Sequence, residues 1–190
     1  MRKGLKLNRR TFAVLAPLAL AACAGQTMQG TSGAKNADVA RVESYFRTVD
    51  LENAPFLQTW PNGSRGGGLI TYKPGSLYMH YTAPHEMELR ASGHHAVFTD
   101  AQQGSQTRIG LAHNPLGLLL DNPVVLSGAV TVTNVQKQPG VLQLSLTRTD
   151  NPSQGLVTLV FHDVANRLAL SSIQIVDERR HVITISLDPV

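Results

Sequence analysis

The chain has 190 residues, 42% hydrophobic, 5% aromatic and 16% charged, with a formal net charge of +4. That much apolar material fills one core, and a charged fraction well below the usual quarter excludes a disordered charged protein and a long coiled coil. The basic excess belongs to the N-terminus, where Arg2, Lys3, Lys6, Arg9 and Arg10 all precede the first acidic residue, Asp38; with the remaining charges nearly balanced and scattered, no nucleic-acid partner is expected.

Residues 1–22 have the layout of an export signal: a basic segment, then the apolar run Thr11 to Ala22, then the only cysteine, Cys23. The run is too short to span a bilayer. Leu20 to Cys23, L-A-A-C, resembles a bacterial lipobox, which implies that Cys23 is acylated and becomes the first mature residue. The alternative is an ordinary cleavage site with an incidental cysteine. Arg9-Arg10 with Phe12 resembles a twin-arginine signal, so the export route stays open. If Cys23 carries a lipid, no thiol remains for disulfides, metal or nucleophilic chemistry. Residues 23–35, rich in Gly, Ser, Thr and Gln, read as a flexible tether to a domain over residues 36–190.

Within that domain, Val39, Val42, Tyr45, Phe46 and Val49 recur at helical spacing, with Asn36 or Asp38 available as the N-cap. The Ser64 to Gly68 run, SRGGG, lacks the Lys-Ser/Thr of a phosphate loop and reads as a flexible entry to a strand. From there the period becomes two. Strands are expected at Leu69 to Lys73, around Leu77, Met79 and Tyr81, and at His85 to Ala91 and Ala96 to Asp100. After Asn114 to Ser127, strands resume at Val130 to Val135, around Leu142, Leu144 and Leu146, around Val157, Leu159 and Phe161, and at Leu168 to Val176 and His181 to Leu187. Short turns such as Lys73-Pro74-Gly75 and Pro139-Gly140 separate them, which favours an antiparallel meander. The fold class is mainly β (α+β): a strongly bent antiparallel sheet or unclosed β-barrel. The interrupting segment, with Leu118, Leu119, Leu120 and Val125 around Pro115 and Pro123, reads as one or two short apolar helices lying over the sheet.

Catalytic and metal chemistry find no positive support. His80, His85, His94, His95 and His113 form no H-x-x-x-H or H-E-x-x-H pattern, no G-x-S-x-G appears, and Glu86 with Glu88 reads as a solvated face. No enzyme activity, cofactor or metal is expected. A hydrolase or metal enzyme on a similar sheet would need three or more His or acidic side chains converging in a pocket.

The order and spacing of Gly67 to Gly93, GGLITYKPGSLYMHYTAPHEMELRASG, of PLGLLLDNP from Pro115 and of QPGVLQLSLTRTDNPSQGLVTLVF from Gln138 resemble the LolA family of outer-membrane lipoprotein carriers. The resemblance implies a concave sheet with a helical lid enclosing a cavity for acyl chains of client lipoproteins. Lining is expected from Val42, Phe46, Leu69, Leu77, Met79, Leu89, Leu118, Leu119 and Val125. It further implies a monomer that takes clients from an inner-membrane releasing transporter and passes them to an outer-membrane acceptor. Lys73 stands where the family has an arginine that hydrogen-bonds the lid; it keeps the charge but loses the planar fork. The lipid anchor implied at Cys23 departs from the soluble carriers and leaves a second reading, a LolB-like acceptor anchored in the outer membrane. An acceptor carries a protruding loop with an exposed leucine, and Thr82 to Glu86 holds none.

Overall fold

The computed structural model describes residues 30–112 and 115–187. Cys23, the export signal and most of the tether lie outside the described residues. Helix α1, Gly30–Thr48, starts ahead of the apolar spacing, so residues 30–35 are helical. Asp38 accordingly sits inside the helix and not at its cap. Its carboxylate is buried and accepts from Arg41 at 2.9 Å and from Lys137 at 3.1 Å. Arg41 also grips Asp163 with both terminal nitrogens, at 3.0 and 2.6 Å. Planar guanidinium matched to carboxylate in this way fixes the rotation of the helix as well as its position.

Among the described residues, eleven antiparallel strands form one bent, unclosed sheet. The first meander comprises β1 (Leu51–Thr59), β2 (Arg65–Lys73), β3 (Ser76–Ala83), β4 (Met87–Ser92), β5 (His95–Asp100) and β6 (Ser105–Gly110). The second comprises β7 (Val130–Gln138), β8 (Val141–Arg148), β9 (Gly155–Val164), β10 (Arg167–Asp177) and β11 (Val182–Ser186). The two meanders are stitched together by pairing of the first strand with the last, Leu57 opposite Ser186 and Thr59 opposite Thr184. β6 and β7 are left as the two free edges, and the chain between them carries a 3₁₀ segment, Pro115–Leu120, that touches β8 and β9. A second short helix after Pro123 is not formed; the Asn122–Pro123 peptide is cis and the chain runs irregularly to Val130.

Two strands escape the period-two reading. β1, LENAPFLQT, contains a proline and places a polar Gln58 on its buried face. β6, SQTRIG, is exposed throughout as an edge strand, although its Ile109 borders the cavity. The triple glycine is not an entry to β2 but part of it. The pairing of β2 with β3 shifts register between Gly67 and Gly68, and a Cβ at Gly68 would overlap the His80 carbonyl oxygen. A side chain there would push the two backbones apart, so glycine is needed for the bulge that bends the sheet.

The concave face divides in two. On β8 and β9, Leu142, Leu144, Leu146, Val157, Leu159 and Phe161 are wholly buried, Val42 of α1 is sealed into the same core, and Phe46 is buried at its border with the cavity. Tyr45, Phe46 and Phe161 meet edge to face with centroids 5.3 to 6.1 Å apart. Over β1–β5, β10 and β11 the same inward alternation continues, with the C-terminal part of α1 touching β10 and Leu119 and Leu120 lying over it. Among the described residues no helix is long and apolar enough to cross a membrane.

Candidate functional site

That half of the concave face encloses a cavity of about 430 Å³, within the range of small-ligand sites. Alternation builds its walls. Ile70 and Tyr72 project from β2, Leu77, Met79 and Tyr81 from β3, Leu89 and Ala91 from β4, and Ala96 and Phe98 from β5. The opposite wall is a ladder of isoleucines, Ile173 and Ile175 of β10 facing Ile185 and Ile183 of β11. Tyr45, Phe46 and Val49 of α1 close one flank, and Leu119 and Leu120 cover the cavity as a lid. Among the described residues no charged side chain lines it. Such a wall makes no strong directional contacts and suits a flexible hydrocarbon.

The lid is fixed by backbone groups. The Tyr72 hydroxyl donates to the Leu119 carbonyl at 2.6 Å, Glu43 of α1 accepts from the Leu126 amide at 2.7 Å, and Arg148 donates to the Ala112 carbonyl at 2.8 Å. Burial pushes the Tyr72 phenol above its ordinary value, with a smaller push from Tyr45, so it remains a neutral donor.

Polar character inside the cavity is concentrated at the end away from the lid. There the Tyr81 hydroxyl donates to Gln58 Oε1 at 2.7 Å, and both side chains are buried. Tyr81 is boxed by aromatic rings, with Trp60 stacked on it at 6.0 Å and Phe56 and Phe98 edge-on at 5.1 and 6.3 Å. Burial raises the Tyr81 phenol as well.

Of the residues expected to line the cavity, Phe46, Leu77, Met79, Leu89 and Leu119 converge on it. Val42 and Leu118 are buried in the core but outside the lining. Leu69 and Val125 are corrections: they are 40% and 47% exposed. Ile70 and Tyr72 take the inward positions of β2, so Leu69 must face out. Val124 and Leu126 likewise turn inward and leave Val125 in solvent. Lys73 does not reach the lid. It points outward and pairs with Asp50 at 3.4 Å, both side chains more than half exposed. Its inward neighbour Tyr72 makes the lid contact.

Gln58, Trp60, Tyr81 and the isoleucine ladder line the cavity and are not among the residues expected to. The ladder was legible as alternating isoleucines in two strands; Gln58 carried no signal, since a glutamine in a proline-containing segment reads as surface. The histidines take small local roles, His80 with Glu86 at 2.6 Å and His85 with Asp100 at 3.0 Å. Glu88 accepts from Tyr78 and Arg90 on the outer face. Among the described residues no three metal-ligating side chains cluster.

Comparison with curated proteins finds no match. A LolA superfamily protein, NE2245 from Nitrosomonas europaea, is similar in crystal structure at a TM-score of 0.40 and 11% identity, over 80% of this chain and 90% of that one. The family model described as outer membrane lipoprotein carrier protein LolA matches residues 47–190, from the end of α1 through the whole sheet. The chain belongs to the LolA family.

Proposed function

We propose that this protein shields the acyl chains of lipoproteins in its lidded cavity while they are sorted to the outer membrane. The observation that carries the reading is the combination of family and site: a LolA chain, hence carrier-like in its general role and periplasmic as the family is, whose concave face holds a charge-free cavity under a hydrogen-bonded lid. Burying a lipid chain is worth about 0.8 kcal/mol per methylene, so chains of lipoprotein length do not cross water unaided. A dry cavity with a movable cover shields them and still releases them. No step needs a nucleotide: clients arrive from an inner-membrane releasing transporter and pass to an acceptor down a gradient of affinity. Phe46, Leu77, Met79, Leu89 and Leu119 contact the chains.

We further propose that Cys23 is acylated and tethers the domain to a membrane, the outer one being favoured by Ala24 in the next position. The acceptor reading remains the alternative. The carrier reading is preferred because the β3–β4 turn, Thr82 to Glu86, offers no large exposed apolar side chain for insertion into a bilayer.

The test is mass spectrometry of the protein purified in detergent from native membranes. An acylated Cys23 with co-purifying lipoprotein supports an anchored carrier or acceptor, and an unmodified mature chain with a client supports a soluble shuttle. Absence of any client overturns the carrier reading. Reconstitution separates the first two: a carrier accepts lipoprotein from the releasing membrane, whereas an acceptor inserts it into a receiving one.

A further inference from the structure

The cavity has two unlike ends. At the lid, polar groups are turned toward protein: Tyr72 gives its proton to Leu119, and the Tyr45 oxygen accepts from the Leu170 amide at 3.2 Å. At the far end stands Gln58, only 6% exposed and part of the lining. Its carbonyl oxygen is taken by Tyr81, while its amide nitrogen has no hydrogen-bond partner among the described residues. Among the described residues that nitrogen is not one of the sealed polar atoms without a partner, so it stays open to an acceptor brought into the cavity. Leucine at this position would remove the amide but would also take the acceptor from the buried Tyr81 hydroxyl, so the glutamine serves Tyr81 through its oxygen and leaves its nitrogen for another acceptor.

We propose that Gln58 is a carbonyl-binding subsite: its amide N–H groups donate to the ester or amide carbonyl that joins an acyl chain to its carrier molecule. Tyr81 holds the carboxamide in the orientation that presents nitrogen to the ligand. The assignment rests on the acyl-carrier reading and gives it a direction. Tyr81 lies four residues along β3 from Leu77, the partner of Tyr72, or roughly 13 Å from the lid end at strand rise. The polar linkage therefore sits beside Gln58 and the methyl terminus points at Leu119. Trp60 and Phe98, which also face the outer cleft formed with Pro84, His85 and Gln103, stand where the linkage leaves the cavity.

Trp60 is the only tryptophan in the chain and is stacked on Tyr81, so its fluorescence reports this end alone. Two hexadecanoyl methyl esters, one brominated beside the carbonyl and one at the chain terminus, are titrated into the purified protein, and their binding is measured independently by displacement of an apolar dye. The ester brominated beside the carbonyl should quench Trp60 severalfold more. Gln58→Leu, checked for a cooperative melt, should weaken the esters about five- to tenfold while leaving terminally brominated hexadecane unchanged. Equal or reversed quenching overturns the proposed direction, and unchanged ester affinity in Gln58→Leu overturns the subsite; either result leaves the acyl-cavity reading standing. Failure of both esters and the alkane to displace the dye removes that reading and the subsite with it.

Discussion

The Tyr72 hydroxyl donates a 2.6 Å hydrogen bond to the backbone carbonyl of Leu119, so the cavity wall holds its own lid through an inward-facing phenol. Lys73, one residue on, faces solvent and Asp50. The lid contact is thus made from the inward face of the strand, opposite the face that carries Lys73. Tyr72→Phe should cost about 1 kcal/mol in stability and speed release of a bound acyl probe, with faster amide exchange confined to residues 115–127. Lys73→Met should change none of these measurably, since exposed ion pairs contribute little. Equal effects of the two variants would return the lid contact to Lys73.

Leu119 is 4% exposed and roofs the cavity. Leu119→Glu puts a carboxylate among hydrocarbon and should lower acyl-probe affinity at least about tenfold at neutral pH, with the far-ultraviolet circular dichroism of the sheet retained. Val125→Glu is the matched control, because Val125 is already 47% exposed; its affinity should equal that of the parent chain. Normal binding by Leu119→Glu would show that the chains do not reach the lid.

Arg41 joins Asp38 of its own helix to Asp163 of β9. The Asp163 carboxyl is held below its ordinary value, first by its hydrogen bonds to Arg41 and next by charge attraction, with burial opposing. A carboxyl lowered on folding stabilises above its unfolded value near ~4 and loses that contribution as the pH falls through the lowered value. The thermal midpoint should therefore drop below about pH 4. In Asp163→Asn the acid-side drop should shrink while the neutral-pH midpoint falls, and Arg41→Met should cost about 2 kcal/mol. An unaltered acid profile in Asp163→Asn would assign the drop to other carboxylates, Asp100 being one that is also lowered, chiefly by the Gln103 amide.

Gly68 sits where β2 and β3 shift register and where a Cβ would strike the His80 carbonyl. Gly68→Ala should destabilise by about 2 kcal/mol or more, seen in chemical unfolding. Gly63, in an open turn with nothing near its Cβ position, has a φ of +80°; Gly63→Asn, a residue tolerated in the left-handed region, should cost less than about 1 kcal/mol.

The sequence by itself determined the helix, nine of the eleven strands and the apolar interruption that becomes the lid, because amphipathic periods of 3.6 and two are local properties of the chain. It also carried the family, through the order of its strands and turns. What only the tertiary structure decided was which apolar residues face empty space. Leu144 and Leu89 both alternate correctly, yet one lies in the sealed core over which α1 packs and the other lines a cavity. Parity misled at Leu69, where Ile70 and Tyr72 take the buried face. The lid contact of Tyr72 spans 47 residues and the Tyr81 bond to Gln58 spans 23. Contacts of that range depend on how far the sheet bends at Gly67 and Gly68, and hydrophobic pattern does not record curvature.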